Sequence, residues 1–154
     1  MEEQVFSVDA GEIAEEIKKA SSESITEEDL RQRVEYILRS KVLEKLKIPW
    51  GPWRPPKARY EVTLVSGVRP DALYGHVIIE YKRPKSFDSL SDFERALEQV
   101  KGYIMVHAQV EARYPRYFGV VLDGYWIGFV RYRSAVKDFE CSRRYDINRS
   151  TVAR

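Results

Sequence analysis

Four prolines, Pro49, Pro52, Pro55 and Pro56, divide this chain into two regions of different hydrophobic period. Proline fixes φ and removes a backbone donor, so residues 50–59 are expected to form a stiff connecting loop between one kind of secondary structure and another. Ahead of the break the period is helical. Ile13, Ala14, Ile17 and Ala20 predict a short amphipathic helix over 9–20. Thr26 and Asp29 form a capping pair for a second helix, whose apolar face runs Leu30, Val34, Ile37, Leu38, Val42, Leu46 and which should end by Ile48. Behind the break the period becomes that of strands, over 60–66, 70–74 and 77–83. A long helix follows from Ser91, with Glu94 completing a capping box and Phe93, Ala96, Leu97, Val100, Ile104, His107 and Ala108 on one face to about 112. Strands over 117–122 and 125–133, joined by a tight Asp123-Gly124 turn, complete the order ααβββαββ.

This pattern predicts an α/β (or α+β) class: a mixed central sheet flanked by helices. At 154 residues, a single domain is expected over 1–154, with a core at 25–133, an N-terminal helical extension at 1–24 and a polar segment at 134–154 that leads toward further domains in a longer protein. One cysteine, Cys141, cannot form an internal disulfide, and with two histidines it cannot complete a Cys/His zinc site. The acidic start Met1-Glu2-Glu3 and the absence of a long apolar run argue against export and membrane insertion, so a cytoplasmic location is expected. Residues 1–30 hold ten acids against Lys18 and Lys19, so the chain's net charge of +2 rests on a strongly basic remainder. Such a body suits a polyanion, because Lys and Arg replace the counterions condensed on nucleic-acid phosphates.

The chemistry concentrates in a hairpin. If Gly75-His76 form a two-residue turn, Tyr74 pairs with Val77, Leu73 with Ile78, Ala72 with Ile79 and Asp71 with Glu80. Two carboxylates then oppose each other at roughly 5 Å between Cβ atoms, an arrangement that is destabilising unless a cation neutralises it. Lys82, two residues beyond Glu80, shares its face. Carboxylates that hold a hard ion such as magnesium beside a lysine suit phosphodiester hydrolysis. The same spacing also fits a solvated face on which the charges partly cancel.

Pro70-Asp71, followed after eight residues by Glu80-Tyr81-Lys82, resembles the motif of the PD-(D/E)XK nuclease superfamily. Gln99-Val100-Lys101-Gly102-Tyr103 resembles the QxxxY motif of RecB-like members and of the nuclease domain of type I restriction R subunits. Further similarity lies in 26–32, 79–84 and 117–126, in the same order, so that it spans roughly 25–133. The resemblance implies a restriction-endonuclease-like αβββαβ core and magnesium-dependent DNA cleavage, with manganese able to substitute, leaving 5′-phosphate and 3′-hydroxyl ends. It implies that Asp71 and Glu80 bind metal, that Lys82 is catalytic, and that Gln99 and Tyr103 support the site near DNA. It also implies methyltransferase, specificity or motor domains as partners, whereas the oligomeric state is left open. An early-helix glutamate joins many such sites. At 100° per residue Glu27 falls nearer the middle of the apolar stripe than Glu35, which makes Glu27 the expected third ligand and Glu35 the alternative. A catalytically silent nucleic-acid-binding module on the same fold is the competing reading.

Other residues carry weaker signals. Trp50, Trp53, Arg54, Lys57 and Arg59 form an aromatic and basic loop that suits either base stacking or packing onto its own domain. His76 at the hairpin turn and His107 on the long helix read as an exposed and a core histidine, and Arg131 and Arg133 as an extension of the basic surface. No glycine-rich phosphate loop follows a strand, so no ATP-driven motor is encoded in these residues.

Overall fold

The computed structural model describes residues 9–45, 72–74, 76–111 and 116–148. The expected strand over 60–66, the Trp50–Arg59 loop residues and Asp71 lie outside the described residues.

Helix α1 (Ala10–Glu23) is capped by Asp9, whose side chain accepts the Glu12 N–H. Helix α2 (Glu27–Leu38) starts in the expected capping box: Thr26 Oγ1 accepts from Asp29 N at 3.1 Å, and Asp29 answers by accepting from Thr26 N at 3.3 Å. A π turn, Arg39–Leu43, interrupts the α-helical period after Leu38, and residues 46–48 of the expected helix lie outside the described residues.

Strand β1 (Ala72–Tyr74) pairs antiparallel with β2 (Val77–Tyr81) in the expected register, Ala72 with Ile79, Leu73 with Ile78 and Tyr74 with Val77. A one-turn 3₁₀ segment, Ser86–Asp88, leads to helix α3 (Leu90–Glu111). That helix begins two residues earlier than a Ser91 cap predicts, because Ser89 caps it instead, its hydroxyl accepting from the Asp92 N–H at 3.4 Å. α3 returns the chain to β3 (Phe118–Leu122), parallel to β2. β3 then pairs antiparallel with β4 (Trp126–Arg133). The segment expected to be merely polar adds two more strands to β4: β5 (Asp138–Cys141) along Val130–Arg133 and β6 (Tyr145–Asp146) along Trp126–Ile127. Their short sequences, half of them charged residues, hide them, since pairing to a neighbour rather than an apolar face defines them. The sheet is therefore mixed, in the order β1-β2-β3-β4-β5 with β6 beside β4.

Strand alternation sorts the core into two layers. Ile78, Val121 and Val130 face α3, where they meet Phe93, Ala96, Val100 and Ile104. Ile79, Tyr81 and Leu122 face the other way, onto Ala14 of α1 and Leu30 and Val34 of α2. α3 approaches closely over Gly119 and Gly128, where an added Cβ would run into Val100 and the Phe93 ring. A sheet with helices on both faces explains why β2 is a nearly continuous apolar run.

The β3–β4 turn is fastened by Asp123, fully buried although charged. Its carboxylate accepts from Tyr125 N at 2.9 Å and Trp126 N at 2.7 Å, and reaches across to Phe87 N at 2.8 Å, tying the turn to the segment after β2. Gly124 beside it has φ +87, and the Ser21 hydroxyl of α1 donates to the Asp123 carbonyl at 3.1 Å. Burial pushes the Asp123 carboxyl above the ordinary 3.8, against the opposing pull of the Phe87, Trp126 and Tyr125 N–H groups.

Asp123→Ala should cost about 3 kcal/mol in urea unfolding, because it strands buried N–H donors. Since the folded-state pKa is raised, the native state holds the proton longer than the unfolded chain. The stability this group contributes therefore falls as pH rises from 3.8 through the raised value. The advantage of wild type over Asp123→Asn, followed by urea unfolding across that window, should be larger at its acidic end.

Candidate active site

Glu80 and Lys82 share the parity of Ile78 and so face α3, the helix that carries Gln99 and Tyr103. Glu80 is only 3% exposed. Burying a carboxylate in an apolar strand is costly unless a partner compensates. Lys82 Nζ lies 3.2 Å from Glu80 Oε1 and 2.9 Å from Gln99 Oε1, to which it donates. Gln99 Nε2 in turn donates to Tyr103 Oη at 2.7 Å. The amide orientation follows from chemistry: an ammonium only donates, so Gln99 must turn its oxygen to Lys82 and its NH₂ to Tyr103. Tyr103 is itself buried among Val100, Ile104 and Tyr117 in the α3 layer, which anchors the far end of the chain.

The result is a line of hydrogen-bonded groups, Glu80, Lys82, Gln99 and Tyr103, running from β2 to α3. It is stiffened at both ends by burial. Lys82 N also donates to the Leu122 carbonyl at 2.9 Å, so the lysine backbone is held by β3 even though β2 formally ends at Tyr81. Beside Lys82 opens a cleft of about 180 Å³ lined by Ser86, Asp92, Arg95, Ala96 and Gln99.

The early-helix acids fall otherwise than the 100° arithmetic predicted. Glu35 is the buried one, at 1%, with Arg39 Nη2 3.8 Å from its carboxylate, while Glu27 is half-exposed at the first turn of α2. Both acids precede the π turn, and a stripe drawn on Leu30 and Val34 alone still lies nearer Glu27, so the helical period does not explain the burial of Glu35; Glu27, the first residue of α2, stands at the helix end. Arg31 pairs with Glu28 within the same helix. Leu30 and Val34 of the helix that carries both acids pack on Ile79 and Tyr81. Among the described residues no three His, Cys, Asp or Glu side chains gather as metal ligands, and Asp71 lies outside those residues.

The remaining candidates make structural contacts. His76 stacks edge-on with Tyr117 at 5.1 Å, rather than standing free at the turn. Arg131 and Arg133 both reach Glu140, at 2.7 and 3.6 Å, which offsets the basic surface they were expected to extend. The side chain of His107 lies outside the described residues. Sequence reading missed the buried role of Asp123 and the wall that Ser86, Asp92 and Arg95 supply beside Lys82. The spacing of Arg95, one turn before Gln99 and two before Tyr103, was the available signal.

Comparison with protein-family models, with curated proteins and with solved structures returned no match. No described helix is long and apolar enough to cross a membrane.

If Lys82 and Gln99 act as one unit, their effects on stability should not add. A double-mutant cycle with Lys82→Met and Gln99→Leu, measured by urea unfolding, is expected to return a coupling of about 1 kcal/mol. Independent effects, adding to within about 0.3 kcal/mol, would show that the contact does not hold the lysine.

Proposed function

We propose that this chain is a magnesium-dependent deoxyribonuclease of the PD-(D/E)XK type on a restriction-endonuclease-like fold, with Glu80 and Asp71 as metal-binding carboxylates and Lys82 as the catalytic lysine. The observation that carries this reading is the direct contact between two motifs. The Glu80-Tyr81-Lys82 strand and the Gln99–Tyr103 helix turn are joined side chain to side chain, at 2.9 Å between Lys82 Nζ and Gln99 Oε1. Each motif is short, and nothing about either one requires it to meet the other. Asp71 enters through the register: the three described β1–β2 pairs are those from which the expected Asp71–Glu80 pairing was counted.

The donor chemistry suits a hard cation. Glu80 offers carboxylate oxygens on a dry sheet face, and Asp71 would add a second carboxylate, the oxygen donors that magnesium and manganese take. A divalent ion held there supplies Lewis-acid shielding of the scissile phosphate. Glu80 supplies fixed negative charge at low dielectric. Lys82, held at a set distance from Glu80 and Gln99, points an N–H donor at the place where charge grows on the phosphoryl oxygens. Gln99 and Tyr103 are positioning residues that stop the ammonium from swinging away when Glu80 turns to a cation. Glu35, buried where Glu27 is half-exposed, is the better candidate for a third carboxylate.

Cleavage of linear, circular and single-stranded DNA, with and without Mg²⁺, tests the reading. Glu80→Ala, Lys82→Ala and Asp71→Ala should each lower the rate by about a hundredfold or more. Tyr103→Phe should have a smaller effect, about tenfold, because it removes a support rather than a reacting group. Cleavage unchanged in Glu80→Ala and Lys82→Ala would reject this site. A wild type that binds DNA without cutting it would favour the silent binding module.

A further inference from the structure

Lys82 has a second cation for company that neither motif contains. Arg95 stands one turn of α3 before Gln99, and both line the same small cleft as Lys82, with Ser86 at its side. The cleft, at about 180 Å³, has room for a phosphate group. Its two cations are tethered differently. Lys82 is fixed by Glu80 and Gln99, whereas Arg95 is 78% exposed and its Nη1 rests 3.2 Å from Asp92 Oδ1 within the same helix. An exposed i,i+3 pair of this kind stabilises little, so a stronger anion can take the guanidinium from Asp92 without disturbing the fold. A guanidinium presents a planar fork of donors that matches phosphate oxygens better than an ammonium does.

We propose that Arg95 forms a phosphate subsite of this chain, taking the backbone phosphate next to the one that faces Lys82; Ser86, whose hydroxyl donates to the Arg83 carbonyl, and Gln99, whose amide is held by Lys82 and Tyr103, are its walls. One helical turn, about 5.4 Å, separates Arg95 from Gln99, so a strand lying along α3 sets a neighbouring phosphate, not a distant one, against the fork. The choice of which phosphate is cut rests on the nuclease reading above. Binding of a phosphate at Arg95 does not. Because the contact is to backbone, Arg95 adds affinity without sequence preference.

The test is binding by the 154-residue chain of a short fluorescent duplex in Ca²⁺, followed by anisotropy over a range of salt, with cleavage in Mg²⁺ recorded separately. Arg95→Ala should weaken binding about tenfold, equally for unrelated duplex sequences, and reduce the salt slope by about one, while leaving the thermal melting temperature unchanged. Arg95→Lys should keep the slope and lose part of the affinity. In duplexes scanned with single methylphosphonates, one position should weaken wild type and leave Arg95→Ala indifferent. A slope and affinity unchanged in Arg95→Ala, no such position in the scan, or a wild type that binds no duplex would each overturn the proposal. So would stabilisation of wild type by inorganic phosphate or a mononucleotide that depends on Arg95 when duplex affinity does not, since that marks a site for free phosphate. A wild type that binds in this Arg95-dependent way but does not cut would overturn the nuclease reading and leave the subsite standing.

Discussion

A carboxylate held at 3% exposure in the middle of an apolar strand must be answered from close by, and much of the described site can be understood from how Glu80 is answered. On its own strand only Lys82 has the right parity, and it sits 3.2 Å away. A lone lysine would satisfy that need from many rotamers. Gln99 removes most of them by accepting from the same ammonium, and Tyr103 fixes Gln99 by accepting from its amide. Each link narrows the next, so the position of one flexible side chain is set by a buried ring on a different element.

The surrounding fold makes that line of contacts possible. β2 lies between β1 and β3, with helices on both faces, and this lets an acid be buried there at all. Gly119 and Gly128 let α3 settle close to the sheet, within reach of Lys82. Asp123 then locks the β3–β4 turn to the segment that leads into α3. A carboxylate used for structure and one available for chemistry thus differ in their partners. Asp123 is surrounded by backbone N–H groups that turn inward, whereas Glu80 has a side-chain partner lying beside a cleft that opens to solvent.

Much of this was legible in the sequence, for identifiable reasons. The β1–β2 register followed from a two-residue turn, a local rule applied over a short distance, whereas Gln99 and Tyr103 were set beside the site only by the resemblance of their motif, since helix period alone reads them as a boundary pair. The coarse class, a mixed sheet flanked by helices, followed from the change of period. Other features were not legible. The period of α2 points its stripe nearer Glu27, yet Glu35 is the buried acid, because burial depends on what covers the helix and not on the period alone. β5 and β6 carry little apolar signal, because hydrogen bonds to β4 hold them in place. Arg95 was overlooked because its partner in the chain, Asp92, makes it read as an ordinary surface pair.

The central claim is that Glu80 faces a cation site shared with Asp71. Calorimetric titration of the chain with Mn²⁺ tests it most directly, comparing wild type with Glu80→Gln and Asp71→Asn. The account predicts saturable binding, displaced by Mg²⁺ and abolished by a chelator, that weakens at least about tenfold in both variants. Equal Mn²⁺ affinity in wild type and both variants, or none in wild type, would contradict it.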